Sequence, residues 1–457
     1  MPLSGLSREE TTLPRESDGC NFMGTSWSRV DRQGASYSDA NLGATVRSFN
    51  DLAVPGMGGV WFGKQLLLAT LGVAVAEQAR AAGHRVNNIE VANAIESLGC
   101  WLALHGSSWQ RDARVRGANK MRRITQHDLA FSRVRKPSFY VTQPMRQATI
   151  QPLRDLGLIE STGERFNGFS CSELGEEFIE AVVGHLNPSN RPVQDHLRRW
   201  VRGDSVSLNT PQLREALSPT VKLPPHARDI LRERICKGHD LGSQRRSNAL
   251  SWVESRSSDL KNSVDWDQKP AMIDLAHWRD IRTGALFFIA RDDAILLLDQ
   301  IEAAIGSTSD RRLQLSHSLP ATIKERCQSL RIAGKDFLEQ GYDRTPSSQA
   351  SQFSRECAEP IDDEDIIRNL VRRDGRVLQL IDDAVVPGYA FAGLPMKVAE
   401  AARSEEESGA ETAPPEILQW PPGISHRVKN LFRMSLDMSG KLDALLSTSV
   451  AAEGDHS

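Results

Sequence analysis

Aromatic residues are scarce in this 457-residue chain, at 6%, which argues against broad stacking on single-stranded nucleic acid. Its six cysteines (Cys20, Cys100, Cys171, Cys236, Cys327, Cys357) contain no C-x-x-C pair. Structural zinc draws on closely paired ligands, so the spacing fits free thiols in a reducing compartment instead. The eleven histidines are scattered and form no H-x-x-x-H pair, so helix-borne metal ligation of that kind is excluded as well. Long apolar runs are missing. The strongest, Leu66 to Ala76, is interrupted by Thr70 and Gly72 and falls short of the ~20 residues that span a bilayer. No basic start followed by an apolar stretch opens the chain, so no secretory leader is expected. The expectation is a cytoplasmic protein with no membrane partner.

What is present is an ordinary globular balance, 39% hydrophobic and 25% charged, at a length that suggests about three domains. The net charge of −3 conceals an asymmetry. Arg111 to Arg154 holds eleven Lys and Arg residues against only Asp112 and Asp128, a local charge of +9 that leaves −12 for the rest. One cationic stretch in an acidic remainder focuses the field on one surface.

Residues 1 to 45 are rich in Ser, Gly, Asp and Arg without apolar periodicity and are expected to be a disordered arm. A helical domain is expected over 46–184, with helices at Trp61–Ala82, closed by Gly83, and at Ile89–Leu104, capped by Asn87 or Asn88. The glycine-rich loop Pro55–Gly59 lacks a preceding strand, and Gly63-Lys64-Gln65 lacks the Ser or Thr that holds magnesium, so it reads as a flexible lead-in rather than a phosphate cradle. Over 185–270, prolines at 188, 192, 211, 219, 224 and 225 interrupt the apolar periods, giving a connecting region with some helices. A second α-helical domain is expected over 271–450, with helices at Ala271–Ile289, Asp292–Ile305, Pro320–Gln340, Asp363–Leu380 and Ser425–Leu446 and an acidic loop at 400–416. No alternating pattern marks a sheet core. The fold class is therefore mainly α, with β structure confined to one hairpin.

That hairpin lies in Ser138–Glu180. The apolar run Phe139-Tyr140-Val141 leads to Thr142-Gln143-Pro144, a helix start with Thr142 as N-cap. An amphipathic segment follows, with Ile150, Leu153, Leu156 and Ile159 on one side and Gln147, Gln151 and Arg154 on the other. Gly157 stops it. Asn167-Gly168 suits a tight hairpin before Phe169, and Ser172-Glu173-Leu174 opens another helix. Helix, Gly-Leu-Ile exit, hairpin and helix is an order that resembles the winged helix-turn-helix superfamily, over about a tenth of the chain.

The resemblance implies that the second helix enters a DNA major groove while the wing touches a flanking phosphate. Arg146, Gln147, Gln151 and Arg154 are then the groove-facing candidates, because Arg reads guanine and Gln reads adenine. Arg165 sits at the wing, and Arg133, Arg135 and Lys136 are placed to neutralise phosphates. Pro152 falls inside the helix and predicts one that is short, beginning at Gln151-Pro152, or bent. Winged helices also dock on proteins, so that alternative stands beside the first.

Catalytic signals are poor. Asp362–Asp365 and Asp292-Asp293 read as acidic helix starts, and Asp382-Asp383 as a solvated face. Ser170-Cys171-Ser172 has no partner base. Arg245-Arg246 with Trp252 reads as a solvated helix start beside a core anchor. No catalytic residue, metal or cofactor is assigned. The function expected is that of a non-enzymatic accessory subunit, binding double-stranded DNA and other protein subunits from neighbouring genes. Chains of this architecture look like parts of multigene bacterial systems, including antiviral defence against foreign DNA, which is analogy from architecture. The competing class is a nuclease whose acidic site is not contiguous in sequence. In the 271–450 body, Val385–Phe391 is expected to be an exposed apolar run that marks a partner surface.

Overall fold

The computed structural model describes residues 42–137, 139–237, 241–257, 265–393 and 418–446. The expected arm, apart from Leu42 onward, and the acidic loop 400–416 lie outside them. Helix accounts for 62% of the described residues and strand for 4%, which makes the fold mainly α.

The first part contains α1 (Leu42–Ala53), α2 (Gly63–Ala81), α3 (Asn88–Gly106), the single turns α4 (Ala118–Met121) and α5 (Phe131–Val134), α6 (Arg146–Asp155), the strands β1 (Ile159–Ser161) and β2 (Phe169–Cys171), and α7 (Glu173–Val183). Helix α3 begins as its sequence predicts. The Asn87 side chain accepts from the Glu90 N–H at 2.9 Å, and the Glu90 carboxylate returns the bond to the Asn87 N–H at 3.1 Å. Then come α8 (Val193–Arg202), α9 (Pro211–Leu217), α10 (Pro225–Cys236) and α11 (Leu241–Arg256). Residues 185–270 are thus more regular than expected of a connecting region. Pro192 and Pro224 are N-caps, while Pro211 and Pro225 occupy first helical positions. There the missing N–H would have had no partner, so these prolines start helices rather than interrupt them.

Two helices expected around Phe288 and Leu297 are one, α12 (Leu275–Ser307), 33 residues long. It is followed by β3 (Leu313–Gln314), α13 (Ala321–Glu339), α14 (Gln349–Ala358), α15 (Asp363–Asp374), β4 (Leu378–Ile381), β5 (Ala384–Pro387) and α16 (His426–Met438). The three strands form an antiparallel sheet in the order β3-β5-β4, so β structure is not confined to the first hairpin. Helix α15 stops at Gly375 (φ +58°), short of the Leu380 expected for it. Asp382 takes φ +54° at the β4–β5 turn and Asp383 pairs with Arg368 at 2.5 Å, so the solvated face expected for this acidic pair is the turn of a hairpin. Val385 and Ala390 are buried and only Tyr389 of the apolar run is well exposed. The first part of the run, Val385–Pro387, lies in the central strand β5, which explains its apolar composition there.

Apolar side chains gather into two clusters whose limits do not follow residue order. The first spans Ala53 to Ile281 and takes in Leu418 to Leu446. The second joins Leu42, Val46 and Phe49 of α1 to α12 from Phe287 onward, α13, α14, α15 and the sheet. Helix α16 therefore belongs with the first half of the chain, not with the 271–450 body. Helices α1 and α12 run through both clusters. At their crossing Phe49 meets Phe287 of α12 at a centroid distance of 5.3 Å and Phe337 of α13 at 6.1 Å, tilted and edge-on contacts that add to simple burial.

A buried lysine anchors α2 to this frame. Lys64 Nζ donates to the Glu215 and Ala216 carbonyls at 3.0 and 2.7 Å, at the C-terminal end of α9, where a helix dipole favours a cation. Next to it the Gly63 N–H donates to Asp437 of α16 at 2.8 Å. Burial pulls the Lys64 pKa down from 10.5 to about 7, against the opposing attraction of Glu215 and Asp437. Between those two values the native protein leaves the amine neutral while the unfolded chain binds its proton, so stability rises with pH. Relative to Lys64→Met, the wild type should gain up to about 1.4 kcal/mol per pH unit across that window. Urea midpoints of the two proteins at about pH 6 and about pH 9 measure it, and a constant difference would contradict the burial of a titrating amine.

Candidate nucleic-acid interface

Residues 139–183 form helix, hairpin and helix in the order read from sequence, but what fixes them differs from expectation. Thr142 is exposed and caps nothing. The cap comes from α3: the buried Glu96 carboxylate accepts from the Met145 and Arg146 N–H groups at 2.5 and 3.0 Å and from the Tyr140 hydroxyl. Burial raises the Glu96 pKa, while Arg116, Tyr140 and the two N–H groups pull it down.

Helix α6 runs through Pro152 without ending, where a short or bent helix was expected. Proline removes the N–H that would bond the Ala148 carbonyl. The Gly59 N–H takes that carbonyl at 3.3 Å instead. Beside it Gly58 has φ +52°, and a Cβ there would lie 2.6 Å from the Ala148 oxygen and 2.8 Å from Pro152 Cδ. The glycine-rich loop is thus a seat for α6, which accounts for its composition.

After Gly157 (φ +74°) the chain enters β1, which pairs with β2 in the register Ile159↔Cys171. Asn167-Gly168 lies in a 3₁₀ turn before β2 rather than at a tight hairpin. The reason is the start of α3: Asn88 Nδ2 donates to the Phe166 and Phe169 carbonyls at 2.9 and 2.8 Å, and Asn167 Oδ1 accepts from the Ile89 N–H at 3.0 Å. Ser172 caps α7, accepting from the Gly175 N–H at 2.9 Å.

The eight candidate residues divide into two groups. Arg133, Lys136 and Arg165 are exposed, and Arg135 is half-exposed. Arg133 pairs with Asp128 at 2.6 Å and Arg135 with Glu90 at 2.9 Å. Arg135 and Lys136 line an open hollow of about 400 Å³ with Glu90, Ser132 and Pro137. Arg146, Gln147, Gln151 and Arg154 are all only partly exposed, and in α6 only Asp155 is more open to solvent. Arg146 Nε donates to Asn93 at 2.6 Å, with its guanidinium 5.4 Å from the Phe166 ring. Gln151 turns inward, donating to Asp51 at 2.7 Å and accepting from Arg427 at 2.9 Å. Arg154 lies 4.0 Å from Glu164. The polar face expected of this helix is only partly free, because the glycine loop packs on Ala148 and Pro152 and the Gln151 amide is taken by Asp51 of α1 and Arg427 of α16.

The +9 stretch is also thinner at the surface than its count suggests. Arg114 is buried between Asp112 and Asp443, both at 2.7 Å, and the buried Arg116 donates to the Gln143 carbonyl at 2.6 Å. The remaining segment is pinned by two tryptophans. Trp101 Nε1 of α3 donates to the Ile124 carbonyl at 3.1 Å and Trp200 Nε1 of α8 to the Leu129 carbonyl at 2.9 Å. Met121, Leu129, Phe131 and Val134 are buried, and the cations between them point outward. Sequence reading missed Glu96 and Asn93, and gave Asn88 only as a possible helix cap rather than as the holder of the hairpin. The available signal was an acid at the centre of an apolar helix, with Ala92 and Cys100 one turn to either side.

Comparison with protein-family models, curated proteins and solved structures finds no match. Among the described residues no group of three or more His, Cys, Asp or Glu could hold a metal ion, and no helix is long and apolar enough to cross a membrane.

Proposed function

We propose that the protein is a non-enzymatic, DNA-associated subunit in which residues 138–180 act as a winged helix-turn-helix. The observation that carries this reading is the pinned segment before α6, which holds Arg133, Arg135 and Lys136 outward beside the start of α3, with Arg165 on the adjoining hairpin. Phosphate neutralisation is the chemistry such residues supply. Arg146, Gln147 and Arg154, at the accessible edge of α6, are the remaining base-reading candidates. Gln151 is not, because its amide is already occupied.

A second reading, protein docking, is favoured by the coverage of α6, since a helix entering the major groove needs a free face. A salt titration separates the two. Duplex binding with six engaged cations gives a log–log slope of roughly −5. Changing Arg133, Arg135 and Lys136 to Gln should weaken binding to all sequences alike, whereas Arg146→Ala should relax discrimination at one base pair by about 1–3 kcal/mol. Absence of affinity at roughly 50–100 mM salt would assign the module to protein docking.

A further inference from the structure

A second group of cations is held outward at the far end of α3. The helix stops at Gly106, and the chain turns back through Ser108 and Trp109, with φ of 54° and 67°. Such conformations persist in non-glycine residues only where the surroundings hold them. Here the Trp109 N–H bonds the Leu104 carbonyl at 2.7 Å, and its indole packs partly buried on the first cluster. Arg111 leaves this turn exposed, and Arg122 and Arg123, after α4, are exposed beside it. Arg122 Nη2 lies 3.5 Å from the Trp109 carbonyl, which draws it to the turn. The nearby carboxylates are engaged elsewhere, Asp112 by Arg114 and Asp128 by Arg133.

The two groups stand at opposite ends of one rigid rod. Arg135 pairs with Glu90 in the first turn of α3, whereas Arg122 sits against the turn that follows its last residue. From Glu90 to Gly106 the helix rises about 24 Å. Phosphates of one strand advance about 3.4 Å per base pair, so the groups are separated by roughly seven base pairs. We propose that Arg111, Arg122 and Arg123 form a second phosphate-binding group, so that one DNA duplex lies along α3 and is held at both ends of it. The inference rests on the DNA reading above and supplies what that reading lacks, an extended contact that does not need a free face on α6.

The test compares Arg122→Gln/Arg123→Gln with Arg133→Gln/Lys136→Gln, all exposed positions, after thermal melts confirm that both variants fold as the wild type does. On a duplex of roughly 20 base pairs each pair of substitutions should reduce the steepness of the salt slope by about 1.8, or 0.9 per lost contact. The wild type should also gain affinity as the duplex lengthens from roughly 5 to roughly 12 base pairs, and either variant should lose that gain. An unchanged slope and length dependence in Arg122→Gln/Arg123→Gln, with Arg133→Gln/Lys136→Gln still weakened, overturns the second group and leaves the DNA reading standing. If neither variant differs from the wild type, both fail. If only the Arg122/Arg123 variant is weakened, the contact lies at one end of α3 and the bridging is overturned.

Discussion

Glu96→Ala is expected to destabilise the protein by about 3–5 kcal/mol, because it removes the acceptor that organises the start of α6 from inside the core. One fully buried carboxylate serves the Tyr140 hydroxyl and the N–H groups of the N-cap residue Met145 and the first helical residue Arg146. Buried donors left without a partner cost about 1–3 kcal/mol each, though not additively. The helix dipole adds to the loss, since the first turn of a helix favours an anion. Arg116, whose attraction helps hold the carboxylate in its charged form, would lose its opposite charge as well. Glu96→Gln keeps one acceptor oxygen and nearly the same volume, so about 1–2 kcal/mol is expected for it. Urea unfolding measures both. Hydrogen exchange adds location, because the amides of Met145 to Thr149 should open before those of α2. Equal losses for Ala and Gln, or protection of α6 retained in Glu96→Ala, would show that the cap is incidental.

The order of elements in this region was legible because each carries a local signal. Asn87 and Glu90 form a capping box, Gly157 takes a left-handed conformation, and Ser172 caps the helix after the hairpin. The long-range partners were not legible. A proline inside a helix signals a break only when its orphaned carbonyl has no other donor, and here Gly59, almost ninety residues earlier, supplies one. Arg245 and Arg246, read as a solvated helix start, are buried, because α11 carries them against the end of α1. Basic residues look alike in sequence whether they face water or a buried carbonyl. The same ambiguity inflated the +9 stretch, of which Arg114 and Arg116 serve the fold. The packing of α16 was hidden for a related reason: it has an ordinary amphipathic pattern, and nothing in it states that its partners lie roughly two hundred to almost four hundred residues upstream, as Met438 with Arg228 and Arg427 with Asp51 do.

Arg427→Ala is the second change expected to cost several kcal/mol, about 3 and upward, since it withdraws a buried cation from three partners at once. The last carbonyls of a helix have no partner within it. At the end of α1 they are met from outside: Leu52 by Arg245 at 3.2 Å, Ala53 by His277 at 2.8 Å, Val54 by Arg427 at 3.1 Å and Pro55 by Arg246 at 3.5 Å. Burial lowers the His277 pKa, so the neutral ring donates through Nε2. Four donors from α11, α12 and α16 thus converge on the element that runs through both hydrophobic clusters. Arg427 adds bonds to Asp51 at 2.7 Å and to Gln151 at 2.9 Å, tying α6 to the same point. Lysine cannot reproduce this fork, so Arg427→Lys should recover less than half of the loss. For Asp51, burial raises the pKa but Arg427, the Gly56 N–H and Gln151 outweigh it and leave it below 3.8. Its contribution is therefore present above the ordinary carboxylate range and fades as acid protonates it, and the gap between wild type and Arg427→Ala should narrow there. Denaturation at neutral and acidic pH measures that gap. Hydrogen exchange should quicken first in α1 and the Pro55–Gly59 loop, and then in α6, whose Gln151 is released. A variant that loses stability without any change in exchange at α6 would separate the junction from the proposed DNA-binding module.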